Sequence, residues 1–215
     1  MTKLVLFSDQ LKKENVELNR RLISLFEHKT PSIGYIPSCS DLHRKYFQAT
    51  SEYYKKLGIA KIDYFDLDVE YDGDTFSHIF DYDAIHLSGG NTFNFLNLLK
   101  KRKIIESIRS YVNSGGILIG VSAGSIMMSK TIELAGYGED ADQDHVCLDD
   151  LNALGLVDFQ FMPHWDESEE TIKLLRKYAR ERNTIVYACK DGDGIVINNS
   201  KVEPIGGLQI IEPNQ

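Results

Sequence analysis

The chain has little of what disulfide-linked or metal-stapled proteins depend on. It contains only three cysteines in 215 residues, and Cys39, Cys147 and Cys189 form no close pair such as C-x-x-C. An odd number of widely spaced cysteines argues against a disulfide framework and against a structural zinc site. We therefore expect a reduced, cytoplasmic setting.

Excess positive charge and long hydrophobic runs are also missing. Lys and Arg total 24 against 32 Asp and Glu, which gives a net charge of −8. A nucleic-acid partner is not expected, because such proteins need a basic surface to displace counterions from phosphates. No segment approaches the ~20 apolar residues of a membrane helix, and the apolar run after Met1 is too short for a signal peptide. A membrane partner is therefore not expected either.

Linkers, repeats and low-complexity tracts are absent, and the five prolines are scattered. The sequence therefore predicts one continuous domain over residues 1–215. It carries no coiled-coil pattern that would predict an oligomer.

Short apolar runs alternate with longer amphipathic stretches through most of the chain. The runs predict six strands, and the amphipathic stretches predict helices at about 10–27, 41–57, 92–113, 123–129 and 167–182. The strands are predicted at Leu4–Phe7, Ile33–Pro37, Lys61–Leu67, Ala84–Leu87, Ile117–Val121 and Phe159–Met162. The tail after residue 183 reads as short strands that extend the sheet in antiparallel fashion. This alternation predicts an α/β fold, a three-layer sandwich with a mostly parallel sheet.

Ligands of such open sheets bind beyond the carboxyl ends of the strands. One such end, Gly120–Gly124, matches the pattern G-x-S-x-G between a buried strand and a helix. This context predicts that Ser122 stands exposed on a sharp turn as a nucleophile, with the N–H of Ala123 directed at a developing oxyanion. A small-residue turn without catalytic function is the alternative.

A second strand end reads Ser88-Gly89-Gly90-Asn91. Its two glycines allow backbone to approach a ligand, so the N–H of Gly90 is a candidate for a second oxyanion donor. Taken alone, the motif is also explained as a glycine-rich turn that Asn91 caps into the next helix.

A serine nucleophile requires a base to accept its proton. Of the six histidines, we favour His164, which follows a buried strand and precedes a helix, over His145 in the acidic loop. His86 lies inside a predicted strand and reads as a core residue. A third, acidic residue should orient the base, and the stretch between residues 133 and 150 offers seven candidates that spacing alone does not separate.

Three motifs in order resemble the peptidase E family of serine peptidases, which includes aspartyl dipeptidases and cyanophycinase-like proteins. They are Gly89-Gly90-Asn91-Thr92-Phe93, Gly120-Val121-Ser122-Ala123-Gly124-Ser125 and Pro163-His164-Trp165. The resemblance spans roughly 4–197.

The resemblance implies a fold like that of class I glutamine amidotransferases and a serine peptidase acting on dipeptides or short peptides through an acyl-enzyme. It implies Ser122 as nucleophile, His164 as general base, and Gly90 and Ala123 as oxyanion-hole donors. The third member would be an aspartate in the loop between serine and histidine, which alignment places at Asp142, with Asp140 as the alternative. The resemblance calls for no cofactor and no metal, and a small peptide is the expected partner.

One departure from the family concerns the substrate side chain. Aspartyl dipeptidases are expected to hold an aspartyl side chain with an arginine in the helix after the histidine. Here the stretch 165–180 begins with acidic residues, and its first basic residue is Lys173, followed by Arg176. The charges disfavour Asp-X substrates and favour a neutral or basic side chain, or an amino terminus drawn to Glu167, Glu169 or Glu170.

Two other functions fit parts of the pattern. An α/β-hydrolase esterase shares the serine turn and the order Ser…Asp…His, but it takes its second oxyanion donor from a loop near the third strand. Here the glycine pair follows the fourth strand, which favours the peptidase. A non-catalytic binding protein of the same fold would keep these motifs without a reactive Ser122.

Overall fold

A seven-stranded sheet forms the centre of the molecule in a computed structural model, which describes residues 1–138 and 141–214. The strand order is β3-β2-β4-β5-β1-β8-β9, and the first five run parallel. The antiparallel strands β8 and β9 complete one edge. The strands are β1 (Lys3–Phe7), β2 (Ser32–Ile36), β3 (Lys61–Tyr64), β4 (Ala84–Leu87), β5 (Ile117–Val121), β8 (Gly194–Asn198) and β9 (Lys201–Ile205).

Helices cover both faces of this sheet. The helices are α1 (Val16–Ile23), α2 (Lys45–Lys56), α3 (Gly73–Ser77), α4 (Thr92–Lys101), α5 (Ile105–Asn113), α6 (Ala123–Ile126) and α7 (Glu169–Arg182). On one face, α1 and α2 bury residues such as Leu18 and Tyr54 against Val5 and Ile119. On the other face, residues of α4, α5 and α6 pack on the alternate strand residues. The predicted three-layer α/β sandwich is confirmed. Strands buried on both faces need apolar residues at nearly every position, which is why the apolar runs predict this fold.

A second, smaller sheet holds β6 (Phe159–Met162), β7 (Ile185–Ala188) and β10 (Gln209–Ile211). The strands β6 and β7 run parallel, with Met162 opposite Ala188. The prediction that all tail strands extend the main sheet is therefore wrong for β7 and β10. Helix α7 packs on this sheet through Leu175, Tyr178 and Ala179.

Helix boundaries differ from the sequence prediction at several places, of which two show the physical reason. The stretch predicted as one helix from Thr92 to Asn113 is broken into α4 and α5, and Lys103 at the break has a φ of +58°. Helix α1 begins only at Val16, where the side chain of Asn15 accepts a hydrogen bond from the N–H of Leu18. Amphipathic spacing continues through such breaks, so periodicity alone does not locate them.

No helix within the described ranges is both long and apolar enough to cross a membrane.

Candidate active site

Ser122 stands on the sharp turn between β5 and α6. Its φ of +51° and ψ of −111° lie outside the conformations that residues with a side chain prefer. The turn is held by hydrogen bonds from the N–H of Ser122 to the carbonyl of Phe7, 3.0 Å, and from the N–H of Gly124 to that of Ser88, 3.1 Å. A side chain at Gly120 or Gly124 would clash with neighbouring backbone. The small residues of G-x-S-x-G are therefore a steric requirement of this turn.

His164 reaches Ser122 from the end of β6. The hydroxyl Oγ of Ser122 lies 2.9 Å from His164 Nε2, in position to donate a hydrogen bond. The backbone of His164 also has a positive φ, +56°, and its N–H donates to Ser8 Oγ at 2.8 Å. The two side chains that sequence reasoning selected as nucleophile and base lie within hydrogen-bond distance of each other.

The carboxylate next to the histidine is Asp191. His164 Nδ1 lies 2.6 Å from Asp191 Oδ1, and Lys12 Nζ lies 3.2 Å from the other carboxylate oxygen. Partial burial opposes ionisation of Asp191, but the hydrogen bond and charge of His164, together with those of Lys12, hold its pKa below the ordinary value. The carboxylate is thus kept ionised where it orients the imidazole.

The structure gives Asp142 a different position from the one expected of an orienting acid. Its carboxylate accepts a 2.8 Å hydrogen bond from the N–H of Thr92, at the first turn of α4. No hydrogen bond of the described residues joins it to His164, whose Nδ1 is taken by Asp191. The alternative, Asp140, lies outside the described residues.

Asp191 is not among the acidic residues expected from the sequence, because those all lie between the serine and the histidine. A signal was nevertheless present, since Asp191 follows β7 just as His164 follows β6. The two strands are parallel neighbours with Met162 opposite Ala188, so residues beyond their carboxyl ends meet.

The expected oxyanion donors lie beside the nucleophile. Ala123 is the first residue of α6, and a methyl group built on Gly89, next to Gly90, would lie 3.5 Å from Ser122 Cβ. Within the described residues, neither the N–H of Gly90 nor that of Ala123 donates a backbone hydrogen bond. The φ of Gly90 is +131°, a conformation that favours glycine.

Two cavities meet at Ser122. The smaller cavity, about 130 Å³, lies between Thr92, Tyr137, Asp142, Trp165 and Asp166. It holds two carboxylates, and no described Lys or Arg lines it. Thr92 and Trp165 line it as well, and their Oγ1 and Nε1 atoms are buried without a hydrogen-bond partner among the described residues.

The basic residues of α7 do not line either cavity. Lys173 is exposed and pairs with Glu169 at 3.8 Å, and neither Lys173 nor Arg176 is among the lining residues. The larger cavity, about 710 Å³, lies on the α1 and α2 side of the main sheet and extends from Ser122 and His164 past Tyr35, His86 and Tyr46.

One group of side chains has the spacing that a metal ion needs. Ligand atoms of Asp9, His164 and Asp191 lie within 4.8 Å of one another. The ammonium of Lys12 supplies a positive charge at the same place, and Asp9 Oδ1 already accepts the N–H groups of Leu11 and Lys12 at 2.7 and 2.8 Å. The carboxylates of Asp191 and Asp9 thus already have partners within the protein, an ammonium group and two backbone N–H groups.

Comparison with known proteins matches this arrangement to one family. The model of peptidase family S51 matches residues 4–205. An uncharacterized peptidase of Pasteurella multocida is 31% identical, over 82% of this chain and 85% of its own length. An uncharacterized peptidase of Listeria monocytogenes is 28% identical, over 88% of this chain and 92% of its own.

A solved structure supports the same family assignment. A Listeria monocytogenes protein described as a candidate peptidase E superposes with a TM-score of 0.77 at 25% identity, covering 95% of this chain and 98% of that one. Peptidase E has the class I glutamine amidotransferase-like fold, so the expected fold class is confirmed. The chain belongs to peptidase family S51 and is a serine-type peptidase.

Proposed function

We propose that the protein hydrolyses dipeptides or short peptides through a triad of Ser122, His164 and Asp191. The observation that carries the proposal is the chain of two hydrogen bonds, Ser122 Oγ to His164 Nε2 at 2.9 Å and His164 Nδ1 to Asp191 Oδ1 at 2.6 Å. A nucleophile, a base and an orienting acid in this order can perform acyl transfer.

The reaction has two halves. His164 takes the proton of Ser122 as Oγ attacks the peptide carbonyl, and the N–H groups of Gly90 and Ala123 stabilise the tetrahedral oxyanion. One such donor is typically worth ~3–4 kcal/mol. His164 then gives the proton to the leaving amine, which departs and leaves an acyl-enzyme on Ser122. Water, activated by the same histidine, releases the acid and restores the serine.

Substrate size follows from the cavities on either side of Ser122. The smaller cavity has room for a single small residue or an amino terminus, which favours short substrates. Its two carboxylates, Asp142 and Asp166, repel an acidic side chain and attract a cation. We therefore propose a substrate whose group in this cavity is neutral or basic and not aspartyl.

A fluorophosphonate probe together with a dipeptide library tests the proposal. We expect labelling and hydrolysis by the wild type, and loss of both in Ser122→Ala. The matched control is Ser125→Ala, because Ser125 lies on the same short helix but donates its hydroxyl to the carbonyl of Phe7 at 2.8 Å. Labelling of Ser122→Ala, or no hydrolysis of any short peptide by the folded wild type, would contradict the proposal.

A further inference from the structure

The rim of the larger cavity is partly apolar, and the charged residues Asp9, Lys12 and Asp41 also line the cavity. Leu11, Leu42 and Tyr46 line it, and all three are exposed large hydrophobic side chains. Exposure of such residues around one opening indicates a contact with apolar parts of a ligand. The rim alone does not specify which ligand.

The floor of the same cavity is polar, buried and uncharged. It is formed by Tyr35, Thr50, His86 and Ser88, each less than a tenth exposed. Burial lowers the pKa of His86 to about 3 and raises the pKa of Tyr35 well above its ordinary value. Both groups are neutral at physiological pH, so the floor favours a neutral polar group over a charged one.

His86 has one ring nitrogen without a partner. Nδ1 lies 2.8 Å from the Tyr54 hydroxyl, and the ring stacks on Tyr35 with centroids 4.9 Å apart. Within the described residues, no hydrogen bond uses Nε2, although His86 is only 1% exposed. A neutral imidazole has one donor and one acceptor. Because buried polar groups are normally hydrogen-bonded, the unpaired Nε2 at the cavity floor suits a ligand that forms a hydrogen bond with it.

The depth of the floor sets the length of the group that reaches it. His86 lies opposite Ile119 in the sheet, three residues before Ser122. At a rise of about 3.3 Å per residue, this is about 10 Å along the strands from the nucleophile. A long side chain can span this depth, whereas alanine or serine cannot.

We propose that the larger cavity selects one substrate residue whose side chain is apolar along its length and carries a neutral hydrogen-bonding tip, with tyrosine as the best fit and His86 as the specificity determinant. The proposal rests on the proposed peptidase function. A tyrosine ring would contact the apolar rim, and its hydroxyl would pair with His86 at the floor. Tyrosine has this combination of an apolar body and a polar end.

Two pairs of dipeptides that differ by one hydroxyl test the proposal: Tyr-Ala against Phe-Ala, and Ala-Tyr against Ala-Phe. In the wild type we expect tyrosine to have a kcat/KM ~10-fold above phenylalanine in one of the pairs, the size of one hydrogen bond to a neutral group. His86→Phe keeps a ring that can stack on Tyr35 but removes both nitrogens, so the preference should disappear while the phenylalanine substrates are still hydrolysed.

The matched control is Tyr53→Phe. Tyr53 is also buried on α2, and its hydroxyl donates to Asn19 Oδ1, but it does not line the cavity. This variant should keep the preference for tyrosine. Thermal unfolding and the rate of fluorophosphonate labelling at Ser122 show that both variants fold with an intact nucleophile.

A wild-type measurement covers the case in which His86→Phe does not fold. Tyrosine compared with 4-methylphenylalanine keeps the size of the side chain and removes the hydrogen bond, and tyrosine should again be favoured ~10-fold. Equal rates for tyrosine and its analogues in both positions, or a preference that persists in folded His86→Phe, would overturn the proposal. Failure of the wild type to cleave any dipeptide would contradict the peptidase function instead, so the two failures are distinguishable.

Discussion

The two cavities that meet at Ser122 differ in size and in charge. The smaller one, about 130 Å³, contains the carboxylates of Asp142 and Asp166 and no described Lys or Arg. The larger one, about 710 Å³, is lined by Asp9, Asp41 and Lys12 and has an uncharged polar floor around His86. Ser122, the proposed nucleophile, therefore faces two environments that place different demands on the two sides of a substrate. The unbalanced carboxylates of the smaller cavity disfavour an acidic group, whereas the floor of the larger cavity favours a neutral hydrogen-bonding group.

Two aspartates near Ser122 also differ in what they contact. Asp191 contacts the base His164, while Asp142 contacts the first turn of α4 and faces the smaller cavity. We therefore propose that Asp191 acts on turnover and Asp142 on substrate choice.

The largest effect is expected from Asp191→Asn. The amide no longer stabilises the imidazolium and can favour the wrong tautomer, so kcat should fall by ~10³–10⁴. Steady-state kinetics on the best library dipeptide measures this. The matched variant Asp142→Asn should keep kcat within ~10-fold, and the reverse order of effects would make Asp142 the third triad member.

A smaller effect is expected from neutralising the smaller cavity. The wild type should hydrolyse asparaginyl dipeptides ~10-fold faster, in kcat/KM, than aspartyl ones, because two nearby carboxylates repel a third. Asp142→Asn and Asp166→Asn should each narrow that ratio. Glu181→Gln, on the exposed part of α7 where Glu181 pairs with Lys177, should leave it unchanged. A wild-type preference for aspartyl substrates would refute this assignment of the smaller cavity.

The smallest effect is expected from Lys12→Met. Loss of the ammonium 3.2 Å from Asp191 removes one cause of its lowered pKa, so the pKa of Asp191 should rise. A carboxylate whose pKa is lowered by folding stabilises the protein at pH values above its unfolded-state pKa, and this stabilisation is lost as the pH falls through its folded-state pKa. The contribution of Asp191 to the free energy of unfolding should therefore be smaller in the variant. Carboxyl ¹³C NMR titration measures the shift, and kcat/KM at neutral pH should change less than ~3-fold.

The control for Lys12→Met is Lys173→Met, which removes the same charge from an exposed position on α7. Its Asp191 titration should match the wild type. An unchanged titration in Lys12→Met itself would show that His164 alone accounts for the lowered pKa.

Residues at strand ends were predictable from the sequence, because a buried apolar run followed by small or polar residues marks the point where a strand leaves the sheet. This reasoning led to Ser122, His164 and Gly90. Asp191 was not predictable in the same way, since its contact with His164 depends on β6 and β7 being neighbours in a second sheet. The position of each strand can be predicted from the sequence, but the neighbouring strand with which it pairs cannot.

The break between α4 and α5 had a different cause. Apolar residues recur at helical spacing on both sides of Lys103, and only the positive φ at that residue separates the helices. A left-handed conformation is uncommon at a lysine, and the local spacing of apolar residues does not reveal it. The division of roles between Asp142 and Asp191 likewise required three-dimensional distances.

Ser122 and His164, the proposed nucleophile and base, both have a positive φ, +51° and +56°. Each such conformation costs a non-glycine residue of order 1–3 kcal/mol, and glycine would relieve it. Selection of this protein for heat resistance alone should therefore favour glycine at the two positions that we propose carry the nucleophile and the base. Libraries of variants selected for thermal stability therefore need an activity screen, because glycine at either position would produce a more stable but inactive protein.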